Sequence, residues 1–394
     1  MAYGGALSLT TTLFMIAGYY LALKTQSSTL FCKDGDFKQF LIKNVPVVRE
    51  KYLPSIFCFN GYVHTAVAIL FRGITLPIDT VNYERENLML NDGGEVAIDW
   101  RYPKSDGPHS LITVVILPGI TGDSQVEYVR ETVNELFENG YCSVVFNYRG
   151  RGGMRLKTAR AYSANNIEDL TEVLKHVKSK RPNSPIAAIG FSMGGILLGN
   201  FLMSNEQADK KYIASGVLIS LPWNVTQASH NAESSWLMLQ MSENLSYHLR
   251  SVIDKNKDVI FNQKNNYSLN YNRIKQSNTV RQFDTEYTIK IFNYTDVYQY
   301  YKDATLNGKL QRIKVPCLGL SAADDPFLYF KDIPTGEADE RSNVAILVTS
   351  AGGHVGYLDT FWPFVINKNF MMRLVQQYLD SIMVDNNYDQ FVSS

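Results

Sequence analysis

One hexapeptide constrains the fold of this chain more than any other segment. Gly190-Phe191-Ser192-Met193-Gly194-Gly195 lies between the strand-like run PIAAIG and the helix-like run ILLGNFL. A strand that turns into a helix through such a segment holds the serine in a strained backbone position. Its flanking glycines are needed because a Cβ there would collide with neighbouring strands. The bare Gly-x-Ser-x-Gly spacing arises by chance in chains of this length. The strand before it and the helix after it make it an elbow.

The surrounding pattern extends the same architecture. Apolar runs of strand length fall at Leu111–Leu117, Cys142–Asn147, Pro185–Gly190, Ile213–Leu221, Cys317–Ser321 and Val344–Val348. Helix-like stretches stand between several of them, at Val126–Glu138, Ile167–Lys180 and Gly195–Met203, and a last helix follows at about Asn369–Met383. Strands alternating with helices imply crossovers and a mostly parallel central sheet flanked by helices, an α/β fold. Residues 83–102 alternate around Asn91-Asp92-Gly93-Gly94, which reads as a β-hairpin. Between Trp223 and Asp303 the alternation stops, and an Asn-, Tyr-, Ser- and Met-rich stretch reads as an inserted lid or cap. The expected organisation is an anchor over 1–24, a connector over 25–82, a first core part over 83–222, a cap over 223–305 and a second core part over 306–394.

Composition excludes several classes. Lys plus Arg and Asp plus Glu both number 38 in 394 residues, so the basic excess of a phosphate-neutralising nucleic-acid binder is missing. With 45% apolar residues the chain can bury a large core. Four cysteines, Cys32, Cys58, Cys142 and Cys317, make no disulfide framework, and buried thiols are expected. No local metal-binding motif occurs, so no metal and no cofactor are expected.

Residues 1–23 carry no charged side chain, and Ala6–Leu23 is mostly apolar. About 20 such residues span a bilayer core, so an uncleaved N-terminal membrane anchor is expected, ahead of a cleaved signal or a buried helix. Lys24 and Lys33 on the body side favour a cytoplasmic body, whereas four N-x-S/T sequons at Asn224, Asn244, Asn266 and Asn293 are compatible with a lumenal one, so the orientation stays open. A second apolar stretch, Tyr52–Phe71, is interrupted by Pro54 and Gly61 and reads as a membrane-hugging or core-packing connector.

An activated serine needs a base, and the base needs an orienting acid. The run ending at Ser321 leads into Ala322-Ala323-Asp324-Asp325-Pro326, and the run VAILVTS leads into Ala351-Gly352-Gly353-His354. Ser192, Asp325 and His354 thus fall in the order Ser, Asp, His expected of α/β-hydrolases. The register of the strand favours Asp325 over Asp324, which would then cap the turn. One oxyanion donor should be the Met193 N–H, and the other the N–H of Gly119 or Ile120 in the turn Pro118–Gly122. Asn147-Tyr148-Arg149-Gly150 reads as scaffold. The spacing His354-x4-Asp359 is associated with glycerolipid acyltransferases, which leaves transfer open as a minor alternative.

The stretches VPVVREKYLPSIFCFNG, NDGGEVAIDW, ILPGITGDS, VVFNYRGRGG, GFSMGGILLGNFL, AADDPF and SAGGHVGYL run nearly end to end. On these the chain resembles the α/β-hydrolase domain-containing proteins, in the subfamily of proteins one and three. The resemblance implies an N-terminally anchored, type II membrane hydrolase that acts on phosphatidylcholines with medium-chain or oxidatively truncated acyl groups. Its triad maps onto Ser192, Asp325 and His354. The expected partners are a phospholipid substrate and the bilayer. Trp236–Met241 in the cap offers adaptable apolar side chains for an acyl chain. A monoacylglycerol lipase or general carboxylesterase is the alternative, and an inactive lipid-binding hydrolase fold a third reading.

Overall fold

The computed structural model describes residues 26–392 except 56, 76–80, 105, 263–266 and 360–368, together with residues 11, 15 and 18. The anchor expected over 1–24 therefore lies, but for those three residues, outside the described residues. Among the described residues no helix is long and apolar enough to cross a membrane.

Nine strands build one sheet: β1 (Thr29–Phe31), β2 (Glu84–Met89), β3 (Glu95–Arg101), β4 (Thr113–Leu117), β5 (Cys142–Asn147), β6 (Ile186–Phe191), β7 (Ser215–Ile219), β8 (Cys317–Ala322) and β9 (Val344–Thr349). Their order across the sheet is β1-β9-β8-β7-β6-β4-β5-β3-β2. From β9 to β5 every pairing is parallel, while β1 and the β2–β3 hairpin add antiparallel edges. Every residue of β4 to β9 is buried, which is why these strands read as mostly apolar runs. The pleat divides them between two cores. Val115, Leu117 and Ala188 face one side; Val114, Ile116, Ala187 and Ile189 face the other.

Helices cover both faces. On one side lie α4 (Ile167–Lys180) and α5 (Met193–Leu202); on the other lie α1 (Asp36–Asn44), α3 (Glu127–Glu138) and α9 (Phe370–Met383). The expected mostly parallel α/β sheet is present. Boundaries differ where local chemistry intervenes. β4 starts at Thr113 because Pro108–Leu111 forms a 3-10 turn. The helix after the elbow starts at Met193 rather than Gly195.

Regular structure, α1 included, falls inside the expected connector. β1 pairs with β9 at the sheet edge, and α2 (Gly61–Thr75) packs beside α3. Between β7 and β8 the chain is helical throughout its regular parts, including α6 (Val225–Asn231), α7 (Trp236–Lys255) and α8 (Val297–Ala304). A small apolar core of Leu249, Val252 and Ile253 on α7, with Phe283 and Tyr287, joins this inserted region to Leu156, Ala159 and Ala161 of the loop after β5. All four cysteines are buried and unpaired by disulfides.

Candidate active site

Ser192 sits between β6 and α5 with φ 51° and ψ −119°. That region is costly for any side chain, and the packing around it leaves no other path. A Cβ on Gly194 would stand 2.2 Å from the Leu117 carbonyl oxygen of neighbouring β4. A Cβ on Gly190 would meet the Gly194 carbonyl oxygen at 2.5 Å, so that glycine makes room for the elbow itself rather than for another strand.

Ser192 Oγ lies 2.9 Å from His354 Nε2. On the far side of the ring, His354 Nδ1 lies 2.9 Å from Asp325 Oδ2 and 3.1 Å from Oδ1. The Asp325 carboxylate is fully buried, whereas the imidazole keeps some access to solvent. Three residues separated by up to 162 positions in the sequence thus form one hydrogen-bonded line. The favoured register at Asp325 agrees with this geometry. The role expected for Asp324 does not: the turn is capped by Asp325 itself, whose Oδ1 accepts from Phe327 N–H at 2.9 Å. Asp324 Oδ1 instead accepts from Gly353 N–H at 2.9 Å and ties the aspartate turn to the histidine loop.

That loop is strained and heavily held. Gly353, Val355 and Tyr357 all have positive φ, and for β-branched Val355 at 58° this is an outlier. Hydrogen bonds overdetermine it. Val355 N–H donates to Ser220 Oγ at 3.1 Å, and the Arg72 guanidinium donates to the Val355 and Gly356 carbonyls at 2.8 and 2.9 Å. Thr65 Oγ1 accepts from the His354 N–H at 2.8 Å, and His64 Nε2 accepts from Leu358 N–H at 2.9 Å. Burial, with the Arg72 charge adding to it, pushes the His64 pKa down to about 3, so its ring is neutral and able to accept. Sequence reasoning missed all three α2 residues. Their signal was present as polar side chains at 64, 65 and 72, on one face of an otherwise apolar helix.

The turn after β4 lies beside the serine. The Gly119 N–H, one of the two expected oxyanion donors there, donates to Tyr128 Oη at 2.9 Å and is thereby taken. The Ile120 and Met193 N–H groups have no acceptor among the described residues. For Met193 this follows from its place in the first turn of α5, whose amides have no intrahelical partner. Tyr128, on α3, carried no sequence signal. Asp359 does not meet His354: its carboxylate binds Arg373 at 2.7 Å and accepts from Phe370 N–H at 3.1 Å, which fixes the start of α9. The acyltransferase spacing is here a structural contact. Arg149 is scaffold as expected, bridging Asp169 and Asp92 with distances of 2.6 and 2.7 Å.

Ser192 and His354 open into a cavity of about 760 Å³ roofed by the helices between β7 and β8. Ile120, Ile196, Met241, Leu245, Leu249 and Phe283 make most of its wall apolar. Of the segment Trp236–Met241, Gln240 and Met241 line it, while Trp236 and Leu237 face solvent and Met238 packs inside. Among the described residues no cluster of side chains could hold a metal ion. A hydroxyl that can pass its proton to an imidazole backed by a buried carboxylate, beside two free amide donors, is an arrangement suited to acyl transfer.

Comparison with known proteins agrees with this chemistry. The Hydrolase_4 family, described as serine aminopeptidase S33, matches residues 108–332. The chain is 32% identical over 372 residues to phospholipase ABHD3 of Bos taurus, covering 93% of this chain and 87% of that one. It is also 32% identical to phospholipase ABHD3 of Homo sapiens, covering 95% and 89%. Monoacylglycerol lipase ABHD2 of Homo sapiens is 24% identical over 91% of this chain and 86% of its own. The Pyrococcus furiosus esterase Pf2001 superposes with a TM-score of 0.50 at 18% identity, over 77% of this chain and 92% of that one. With a family match over more than half its length and relatives above 30% identity along nearly all of it, the chain belongs to the α/β-hydrolase domain-containing family and is a serine ester hydrolase.

Proposed function

We propose that this protein hydrolyses acyl ester bonds of phospholipids, phosphatidylcholine foremost, with Ser192 as nucleophile. The observation that carries the reading is the hydrogen-bonded line from Ser192 through His354 to Asp325, opening into a largely apolar cavity of about 760 Å³. A volume of this order suits one acyl chain and part of a head group. Phospholipase-named relatives support the substrate class.

The steps follow from the geometry. His354 Nε2 takes the Ser192 proton as Oγ attacks the ester carbonyl, and Asp325 keeps Nδ1 protonated and stabilises the imidazolium. The tetrahedral oxyanion is received by the N–H groups of Met193 and Ile120. Collapse expels the lysolipid alkoxide, which takes the proton from His354, and leaves an acyl group on Ser192. Water, deprotonated by the same imidazole, then releases the fatty acid. The apolar run before residue 24 serves as a single-pass membrane anchor in this reading.

The test compares wild type and Ser192→Ala on short-, medium- and long-chain phosphatidylcholines beside a monoacylglycerol. Serine-dependent fatty acid release from phosphatidylcholine, strongest for medium chains, is the expected result. Serine-dependent release from monoacylglycerol alone would replace the phospholipase reading by the lipase one.

A further inference from the structure

Helix α2 is built inside out. Its buried residues include His64, Thr65 and Arg72, whereas the stripe Ala66, Ile69, Leu70, Gly73 and Ile74 faces solvent. These positions follow the i, i+3, i+4, i+7, i+8 spacing of one continuous helical face. Ile69, Leu70 and Ile74 are 53%, 65% and 60% exposed, and Phe59, just ahead of the helix, is 57% exposed. An ordinary surface helix turns its apolar stripe to the core and its charges to water. Here the only side chains in α2 able to carry a positive charge, His64 and Arg72, are both buried in holding the histidine loop, and the outer face carries no charge at all. Single exposed apolar residues need no explanation, but a contiguous uncharged stripe does.

The position of the stripe identifies what covers it. Thr65, Ile69 and Arg72 line the same cavity as Ser192 and His354, and Ile69 is at once in the cavity wall and half in solvent. The stripe therefore begins at the cavity rim. A second protein seated there would stop the entrance, whereas a lipid surface would let an acyl chain pass from an apolar phase into an apolar cavity. At 15 residues, about 22 Å, α2 is too short to span a bilayer and has the dimensions of a helix lying in its surface.

We propose that the outer face of α2 is a lipid-contacting surface, separate from the N-terminal segment, that seats the cavity entrance in the outer layer of a zwitterionic phospholipid bilayer. Phosphatidylcholine vesicles are the probe, a choice that rests on the phospholipid reading above. The insertion depends on the face itself.

All four native cysteines are buried, so an added surface thiol can be labelled alone. Full-length Leu70→Cys, and Lys175→Cys at an exposed position of α4 as control, would carry an environment-sensitive fluorophore in phosphatidylcholine vesicles containing a nitroxide-labelled lipid. The label at position 70 should be quenched at least threefold more than that at 175. Equal quenching would overturn the proposal. So would a position-70 label that reports an apolar environment without quenching, which would mean that protein, including a second copy of this chain, covers the face. Separately, Leu70→Glu/Ile74→Glu should lower phosphatidylcholine hydrolysis in vesicles at least tenfold while leaving hydrolysis of a water-soluble short-chain ester within twofold. Unchanged vesicle hydrolysis, or an equal fall in both, would contradict it. A wild type inert toward phosphatidylcholine whose position-70 label is nonetheless quenched would remove the substrate reading and support this one.

Discussion

Ser192, His354 and Asp325 leave three different strand ends, and a different constraint holds each. The elbow backbone fixes the serine, hydrogen bonds from α2 and Ser220 fix the histidine loop, and burial fixes the aspartate. Asp325 accepts at both oxygens from one ring nitrogen, so an amide there would present a donor to Nδ1 and favour the wrong imidazole tautomer. Asp325→Asn should lower kcat by about 10³- to 10⁴-fold with the fold intact. Asp324→Asn keeps an acceptor for Gly353 N–H and should cost about tenfold or less, as steady-state kinetics of the two variants would show. The three hydrogen-bonded residues were legible because each follows a strand and their chain order is that expected of α/β-hydrolases. The choice between Gly119 and Ile120 was not, since it depends on Tyr128 reaching over from α3 to occupy one amide.

At the scale of elements, α2 is the part of the molecule that links the chain before the core to the chemistry. Thr65 Oγ1 accepts the His354 N–H and donates to the Gly61 carbonyl at 2.7 Å. Thr65→Val removes that acceptor and leaves a part-buried N–H unpaired, a loss of about 1–3 kcal/mol. Because the loss falls on the loop that aims the imidazole, kcat should drop about tenfold with KM nearly unchanged, and Thr65→Ser should restore it. A purely structural role would lower thermal stability and leave kcat per folded molecule intact. The central strands were readable from sequence because burial on both faces makes them mostly apolar, with small polar residues such as Thr113, Ser143 and Ser321 interspersed. The helix α2 was not, because His64, Thr65 and Arg72 point inward while Ile69, Leu70 and Ile74 point outward, the reverse of the pattern on which such readings rest. The helices between β7 and β8 were readable only as a break in alternation, since apart from the 20-residue α7 they are eight residues or shorter and are tied down by long-range contacts such as Tyr287 Oη to the Ala159 carbonyl at 2.6 Å.

Over the whole molecule, a sheet covered on both faces supplies a rigid floor and the inserted helices supply a roof, with the cavity between them. Asp284 lies in that roof, fully buried at the cavity wall, accepting from Thr288 Oγ1 at 2.6 Å and Tyr301 Oη at 2.9 Å. Burial outweighs those two hydrogen bonds and raises its pKa to about 6. Below the unfolded pKa of about 3.9 the carboxyl is neutral in both states and costs nothing. As pH rises from about 4 to about 6 the unfolded chain releases this proton while the folded one keeps it. Stability therefore falls through that window, by about 3 kcal/mol at most, and the cost is complete above it. In urea unfolding from pH 4 to 8, wild type should lose stability relative to Asp284→Asn between pH 4 and 6, and the difference should then stay flat. A pH-independent difference would show that Asp284 does not titrate there.

A fluorophosphonate probe followed by peptide mapping tests, without any assumption about substrate, whether Ser192, activated by His354, is the nucleophile of this chain. The expected result is one phosphonyl adduct per molecule on the peptide carrying Ser192, no adduct in Ser192→Ala, and labelling slowed by about 10³-fold or more in His354→Ala. An adduct on another residue, or wild-type protein that stays unlabelled while folded, would contradict the account.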